Sequence, residues 1–285
     1  MTFINRHSMH IGQSVLTDEQ ISTAAPSVFA SEAHESRSAR FAVIPTGVVI
    51  GALRAEGFDP VFAKQSAARY GRNEHGKHLV RFRHLSQPST THGLRVGATF
   101  PEVVLVNAQD GSSAYKLYAG VFRLVCLNGM IASDRLDGSV SVSHSGDVRS
   151  KVIQGSYKVL NESRTALQCA DAWAGIELSP DEQHAFAEQA HFLRFADAAG
   201  EISTAIRPEQ LLDVRRQEDR PNDLWTTFNR IQENAVRGGL RGLTRDPVTR
   251  RTRRSTSREV QGIDGDVRLN RALWALGARM AEIKA

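Results

Sequence analysis

Hydrophobic and polar residues alternate along His78–His84, with the two-residue period of a β-strand. This alternation places Arg81 and Arg83 on the same face of the predicted strand. Two apolar runs follow at residues 101–107 and 114–125, and the turn-forming sequence Gln-Asp-Gly-Ser separates them. The pattern therefore predicts an antiparallel hairpin preceded by a further strand.

Helical periodicity replaces this alternation from residue 147 onwards. Ser179 followed by proline is typical of a helix start, and Thr17 with Gln20 forms a capping-box pattern near the N-terminus. A short strand at residues 41–44 and a helix ending before Gly57 complete the first half. The remaining predictions are a turn at Asn128-Gly129, a short strand within residues 139–144, and helices at residues 147–173, 208–212, 224–236 and 267–283. The order of elements predicts the α+β class, with a small antiparallel sheet of about three strands packed by helices and a helical C-terminal half.

The size and composition of the chain are those of a globular protein with a substantial core. It has 285 residues, of which 41% are hydrophobic. We expect an N-terminal helix and arm at residues 1–40, an α+β core at 41–175 and a helical region at 176–285. An apolar run long enough for a membrane span and an apolar secretory signal are both missing from the sequence, so we expect a cytoplasmic protein.

Positive charge is concentrated near the C-terminus. The whole chain carries a net charge of +5, but residues 237–258 hold eight arginines and a single acidic residue, Asp246. Such a segment cannot neutralise itself and favours an external polyanion, most simply nucleic acid. Three glycines among the arginines would let the backbone approach a phosphate chain. A solvated arginine-rich loop without a ligand is the alternative.

A second group of cations surrounds the first predicted strand, where they could form a groove for a sugar-phosphate backbone. A simple turn leading into the strand explains the same residues. Aromatic rings nearby could stack on unpaired bases, and we expect Tyr115 to be the exposed ring, with Tyr118 and Phe122 buried. The predicted nucleic-acid-binding residues are Arg69, Arg72, Lys77, Arg81, Arg83, Tyr115, Arg237, Arg241, Arg245, Arg250, Arg251, Arg253, Arg254 and Arg258.

Catalytic and metal-binding signatures are weak. The two acids and the lysine of metal-dependent nucleases have possible counterparts in Glu102, Asp110 and Lys116. However, Asp110 belongs to a turn-forming sequence and does not lie beside the lysine on a strand. The histidines between residues 75 and 92 lack the spacing of a zinc site and are better explained as surface imidazoles. The two cysteines, at 126 and 169, lie in apolar settings typical of buried thiols. We therefore expect no catalytic residue, no metal and no cofactor.

Several motifs point to a known family. They occupy residues 38–46, 57–58, 101–117, 119–129 and 223–234, and the last of these begins with the sequence Asp223-Leu-Trp-Thr-Thr-Phe-Asn-Arg. Over nearly its whole length the chain resembles the phage and plasmid-like proteins of the family called domain of unknown function 932. That resemblance implies a mobile-element setting and brings no established reaction. The order of helix, hairpin and long helix is also similar to single-strand annealing recombinases, which would imply ATP-independent binding of single strands by an oligomer.

Three hypotheses for the function follow. The first is an accessory DNA-binding protein of a phage or plasmid type, acting in recombination or replication as a homo-oligomer. A metal-dependent nuclease is the second, and an oligomeric protein-interaction factor is the third.

One face of the predicted helix at 224–236, continued by one residue, carries three polar side chains: Asn229, Glu233 and Arg237. They form either part of a site or a network that anchors the helix.

Overall fold

The computed structural model describes residues 8–10, 15–31, 44–66, 75–86, 99–110, 112–123, 128–132, 139–144, 146–245 and 252–285. The chain divides into two compact units, which we call unit 1 (Met1–Leu167) and unit 2 (Gln168–Ala285). The predicted boundaries near residues 40 and 175 stay predictions.

Unit 1 is built on one antiparallel sheet, so the predicted α+β class is confirmed. Among the described residues the sheet has seven strands, so it is larger than the sheet of about three strands that the sequence pattern predicts. Its strands are β1 (Ser8–His10), β2 (Phe58–Gln65), β3 (His78–His84), β4 (Thr99–Ala108), β5 (Ser113–Arg123), β6 (Asn128–Ile131) and β7 (Ser139–Val142). They pair in the order β1-β2-β3-β4-β5-β6, and β7 pairs with β5 beside β6.

The predicted hairpin is present as β4 and β5, and β3 pairs with β4 as a neighbouring antiparallel strand. Two elements differ from the prediction. Strand β2 was not predicted, because Pro60 removes a backbone donor; the pairing of β2 with β3 shifts register between Pro60 and Phe62 and so tolerates the proline. The predicted turn at Asn128-Gly129 is wrong, since both residues begin β6.

Three α-helices begin in unit 1. Helix α1 (Asp18–Ala24) starts at the predicted capping box, where Thr17 and Gln20 exchange hydrogen bonds. It is followed by a 3-10 helix, Pro26–Phe29, and by α2 (Thr46–Ala55). Helix α3 (Val148–Trp173) begins in unit 1 and ends in unit 2. Of the predicted strand at 41–44, residues 41–43 lie outside the described residues.

One face of the sheet and these helices form the core of unit 1. Strand register places Val80, Phe82, Val103 and Leu105 on that face, together with Leu117 of β5. All five are almost fully buried in one hydrophobic cluster with residues of α1, α2 and α3. The opposite face carries the charged residues of β3 and β4 and is also buried.

Unit 2 is mainly helical, as predicted. The predicted helix start at Ser179 is confirmed, because its hydroxyl accepts a hydrogen bond from the Glu182 amide. A two-stranded ribbon, formed by β8 (Arg241–Arg245) and β9 (Thr252–Thr256), was not predicted. The elements are α4 (Pro180–Phe195), the 3-10 helices Pro208–Leu212 and Gln217–Asp219, α5 (Leu224–Arg237), β8 (Arg241–Arg245), β9 (Thr252–Thr256) and α6 (Ile263–Lys284).

An aromatic cluster forms the core of unit 2. The ring centres of Trp173 and Trp274 lie 4.7 Å apart, and Trp225 and Phe228 of α5 complete the group. Gly277 of α6 gives the Trp173 ring room, because a Cβ at this position would come within 2.8 Å of it. Helix α5 is therefore held on its apolar side by rings from α3 and α6.

Helix α5 is buried on its polar side as well. Gln232 donates a hydrogen bond of 2.8 Å to Asn270, and Asn234 donates one of 3.0 Å to the Leu211 carbonyl. Glu233 accepts hydrogen bonds from Arg216 at 2.7 Å and from Arg237 at 2.8 Å. A buried polar group needs such partners, so Gln232, Glu233 and Asn234 belong to a structural network within unit 2. Asn229 donates a 2.6 Å hydrogen bond to the Trp225 carbonyl of its own helix.

Candidate nucleic-acid interface

Arg81 and Arg83 share a strand face, as predicted, but they are not available to a phosphate. They project from β3 towards the carboxylate of Glu102 in β4, to which they donate hydrogen bonds of 3.0 Å and 2.9 Å. All three side chains are at least nine-tenths buried. Placing these arginines in an open binding groove was therefore wrong, because the fold neutralises and buries them.

The Arg83 guanidinium has aromatic neighbours in addition to the carboxylate. Its Cζ atom lies 4.9 Å from the ring centre of Phe100 and 4.4 Å from that of Phe122. Cation–π attraction of this kind is strongest where water is excluded. The charged face of the sheet is thus a packed interior in which one acid pairs with two guanidinium groups and two rings contact that of Arg83.

Tyr115 is buried, which corrects the prediction of an exposed ring. Its side chain is fully enclosed on the core face of β5, and its hydroxyl donates a 2.6 Å hydrogen bond to the Ile44 carbonyl. Burial raises the pKa of Tyr115 to about 12. Tyr118 and Phe122 are buried, as predicted. None of these three rings can stack on a base.

The other cations predicted beside the sheet give little support for a groove. Arg69 and Arg72 lie outside the described residues. Lys77 is half-buried and precedes β3. Without Arg81 and Arg83, this part of unit 1 offers no cluster of exposed guanidinium groups among the residues that the structure describes.

The nuclease-like residues do not form a metal site. The Glu102 carboxylate already accepts hydrogen bonds from Arg81 and Arg83. The Asp110 carboxylate accepts a 2.8 Å hydrogen bond from the Ser112 amide, which is typical of a turn. Within the described ranges, no group of three histidine, cysteine, aspartate or glutamate residues could hold a metal ion. The geometry therefore gives the nuclease hypothesis no support.

His78 is buried, which corrects the prediction of a surface imidazole. Its Nδ1 atom lies 2.8 Å from the Ser27 hydroxyl and 3.3 Å from the Gly76 carbonyl, and its Nε2 atom lies 2.9 Å from the Thr46 hydroxyl. A carbonyl only accepts, so the proton belongs on Nδ1 and the Thr46 hydroxyl donates to Nε2. Burial lowers the pKa of His78 to about 4. The ring is a neutral structural link between α2, β3 and the Pro26–Phe29 segment.

Three exposed arginines lie on or next to the ribbon of unit 2. Register pairs Arg241 with Thr256 and Leu243 with Arg254, and residues alternate between faces, so Arg241, Leu243 and Arg254 share one face. Their side chains are exposed, as is Arg258 just after β9. In the described part of the chain, no carboxylate forms an ion pair with Arg241, Arg254 or Arg258. We call these three residues the ribbon arginines.

The opposite face of the ribbon rests on unit 2. Gly242 is buried against the backbone of Ala205, and a Cβ at Gly242 would lie 2.6 Å from the Ala205 carbonyl carbon. Gln210 donates a 2.9 Å hydrogen bond to the Arg241 carbonyl. The ribbon is thereby seated on residues 205–210, with its arginine face directed to solvent.

Two further arginines hold the base of the ribbon. Arg194 of α4 donates to the carbonyls of Ala235 and Arg258, at 2.9 Å and 2.8 Å. Arg215 donates a 2.7 Å bond to the Gly238 carbonyl, at a glycine whose φ of 64° suits a residue without a side chain. The ribbon therefore leaves α5 in a direction fixed by hydrogen bonds.

The remaining predicted residues of the segment divide into two groups. Arg237 is half-buried and pairs with Glu233, so its charge is largely neutralised. The backbones of Arg245 and Arg253 belong to β8 and β9, but their side chains are outside the described part, as are Arg250 and Arg251 entirely. The sequence could indicate that the segment is basic, but not which arginines are paired.

Together, the sheet-based unit and the helical unit with its basic ribbon define an α+β protein that presents an arginine surface on unit 2. The family described as "Domain of unknown function (DUF932)" matches residues 33–274, and the chain belongs to this family. It is similar to two proteins of Escherichia coli (strain K12), the UPF0380 proteins YafZ and YfjQ, at 43% and 42% identity over 262 residues. Those alignments cover 92% of this chain and 90% of each relative. No solved structure matches.

Among the described helices, none combines the length and the apolar character needed to cross a bilayer. The expected likeness to annealing recombinases stays an expectation. The names of these two relatives describe no ligand or reaction.

Proposed function

We propose that this protein is an accessory nucleic-acid-binding protein of a phage or plasmid type, and that the ribbon arginines contact the phosphate backbone of DNA. The observation that carries the proposal is the exposure of Arg241, Arg254 and Arg258, which have no carboxylate partner among the described residues. A polyanion supplies the missing negative charge.

The contrast with the other arginines supports this proposal. Arg81, Arg83, Arg216 and Arg237 each bond to a carboxylate within the fold. An exposed guanidinium offers five donors in a planar fork that matches a phosphate group. The exposed guanidinium groups of the ribbon arginines are therefore available for phosphate contacts that the paired ones cannot make.

The shape of the ribbon fits the same role. A two-stranded antiparallel ribbon is narrow enough to follow a groove or lie along a strand of nucleic acid. Gln210 and Arg194 fix its position through backbone carbonyls. A fixed ribbon loses little conformational entropy on binding, which favours affinity.

A salt titration tests the proposal. Binding of a labelled oligonucleotide is measured by fluorescence anisotropy from about 50 mM salt upwards, where counterion release makes the logarithm of affinity fall linearly with the logarithm of salt concentration. We expect the triple variant Arg241→Gln, Arg254→Gln, Arg258→Gln to bind more weakly. The slope of the logarithm of affinity against the logarithm of salt concentration should become less steep by about 0.7 to 0.9 for each phosphate that the variant no longer neutralises.

The control is a second triple variant, Arg220→Gln, Arg268→Gln, Arg279→Gln, which removes the same charge from exposed positions of unit 2. It should retain most of the affinity and the original salt slope. Equal losses in the two variants would show that net charge alone matters. Absence of any binding by the unaltered protein at about 50 mM salt would refute the proposal.

We also propose a cytoplasmic location, since the proposed ligand is found there, and assembly into a homo-oligomer. Size measurement with and without DNA tests the assembly. A factor that acts on DNA as an oligomer should form larger particles on its ligand, whereas a purely protein-directed factor should not respond.

A further inference from the structure

A surface pocket of about 500 Å³ lies in unit 2, between α4 and the segment that follows it. Its lining combines apolar and polar side chains: Glu188, Gln189, His191, Phe192, Ile202 and Pro208. Phe192 is 47% exposed and Ile202 42% exposed, which is unusual for such large apolar groups. The pocket thus presents an accessible aromatic ring beside an aliphatic wall.

The segment that follows α4, at residues 202–210, contacts both the pocket and the ribbon. Ile202 and Pro208 line the pocket, whereas Ala205, between them in sequence, packs against Gly242 of β8. Gln210, two residues after Pro208, bonds to the Arg241 carbonyl. Two residues of chain span at most about 7 Å, so the pocket wall and the start of the ribbon are close neighbours.

The segment between the pocket and the ribbon carries one exposed cation, Arg207, and one exposed acid, Glu209. Arg207 is exposed and stands next to Pro208 in the chain. No carboxylate within the described ranges pairs with it. A strand of nucleic acid could therefore follow Arg254, Arg241 and Arg207 with its phosphates, and it would arrive beside the exposed ring of Phe192.

We infer that the pocket receives an unpaired base of a single-stranded nucleic acid, stacked on Phe192, while the phosphates lie on the neighbouring arginines. This inference rests on the proposed function and specifies its ligand. A base in a duplex is already stacked and paired, so it cannot enter a side pocket without being flipped out. A single strand offers its bases freely, and stacking on an aromatic ring tolerates any base.

The acidic group in the pocket agrees with a base rather than a phosphate. The Glu188 carboxylate lies 3.3 Å from His184 on the same helix and is half-exposed. A carboxylate repels phosphate but accepts hydrogen bonds from the N–H groups of bases. The pocket therefore separates the two parts of a nucleotide, with the base inside and the backbone on the arginines.

The ring of Phe192 is supported from one side. The Asp197 carboxylate accepts hydrogen bonds of 2.9 Å from the amides of Ala199 and Glu201, which closes a tight turn. A Cβ added at Gly200 in this turn would contact the Phe192 ring at 3.8 Å. The turn thus lies beside the edge of the ring, and 47% of the Phe192 surface remains exposed and available to a base.

The test compares three labelled ligands by anisotropy at one salt concentration: a single-stranded oligonucleotide, its duplex, and a single strand of equal length in which abasic sites replace the bases. We expect the unaltered protein to bind the single strand more tightly than the other two. Phe192→Ala should weaken single-strand binding by about 5-fold to 150-fold, the range expected when one base no longer stacks on a ring, without changing the salt slope.

Two further variants make the result specific. Leu193→Ala is the matched control, because Leu193 is 42% exposed on the same helix but does not line the pocket; it should bind like the unaltered protein. Phe192→Tyr retains a ring and should restore the affinity. Circular dichroism of each variant checks that unit 2 remains folded.

The outcomes separate this inference from the proposed function. If the single strand and the abasic strand bind equally, or if Phe192→Ala behaves like Leu193→Ala, the base pocket is refuted even where the ribbon variant still loses affinity. If the unaltered protein binds none of the three ligands, the proposed function itself fails. A preference for the single strand that disappears in Phe192→Ala and returns in Phe192→Tyr supports both.

Discussion

Gly242 of β8 packs directly on the backbone of Ala205, and no side chain fits between them. A Cβ at position 242 would lie 2.6 Å from the Ala205 carbonyl carbon and 2.7 Å from its Cβ. We therefore expect Gly242→Ala to displace the ribbon from its seat. Trypsin should then cleave the ribbon faster in the native protein, and nucleic-acid affinity should fall.

Gly262→Ala is the control for that variant. Gly262 has an ordinary backbone conformation and no atom within 4 Å of an added Cβ. Cleavage rate and affinity should both stay unchanged. If Gly242→Ala also left them unchanged, contact with Ala205 would not be what positions the ribbon.

Glu102 is expected to be essential for the stability of unit 1. Glu102→Gln removes the buried negative charge that Arg81 and Arg83 share, so Glu102 no longer balances the positive charge of two buried guanidinium groups. The free energy of unfolding should fall by about 3–5 kcal/mol. Urea denaturation followed by circular dichroism measures this decrease.

An exposed ion pair provides the comparison. Glu282 pairs with Arg279 at 2.7 Å in α6, with both side chains about two-thirds exposed. Glu282→Gln should change the free energy of unfolding by less than about 1 kcal/mol. A similar small effect at Glu102 would contradict the view that the buried charges depend on it.

His78 should make unit 1 sensitive to acid. Its folded-state pKa of about 4 is below the 6.5 of an unperturbed histidine, so the unfolded chain binds the proton more readily. The resulting stability is complete above about pH 6.5 and is lost as the pH falls towards about 4. The decrease is on the order of 3 kcal/mol. Urea midpoints measured from pH 7 to 4 reveal it.

His78→Gln isolates this contribution from that of the carboxylates, which titrate in both proteins. The variant should be less stable at pH 7, because hydrogen bonds to Ser27 and Thr46 are altered. Its stability should decline less steeply between pH 6.5 and 4. Parallel pH profiles for the two proteins would show that the imidazole is not the group responsible.

Two helix glycines should respond to alanine in opposite ways. Gly51 of α2 is exposed, with nothing within 4 Å of an added Cβ, so Gly51→Ala should stabilise the protein by about 0.5–1 kcal/mol. Gly155 of α3 is buried, and a Cβ there would lie 2.8 Å from Leu117 and Val140. Gly155→Ala should therefore destabilise it by about 1–3 kcal/mol. Thermal unfolding distinguishes the two directions.

The local pattern of apolar and polar residues was sufficient to predict much of the fold. The strands β3, β4 and β5 have clear alternation or long apolar runs, and the helices begin at capping residues such as Ser179. Strand β2 escaped prediction because Pro60 is compatible with a strand only through a register shift that depends on β3. Ribbon strands β8 and β9 are too polar to show an apolar face.

The candidate site was harder to predict, because the sequence gives the number of charges but not their partners. Arg81 and Arg83 on one strand face could have suggested a buried acid opposite, and Glu102 within an apolar strand was the available signal. Arg241 and Arg254 are exposed because Gly242 packs the opposite face of the ribbon against Ala205. That tertiary contact cannot be read from the sequence. Phe192 gave no sequence signal, because a phenylalanine within a predicted helix is usually a core residue.

The aromatic cluster of unit 2 has a practical consequence. The chain has three tryptophans, and all of them, Trp173, Trp225 and Trp274, belong to that cluster. All four tyrosines are in unit 1. Tryptophan emission therefore follows the melting of unit 2 by itself, whereas tyrosine absorbance follows unit 1, so each half of the molecule carries its own intrinsic optical probe.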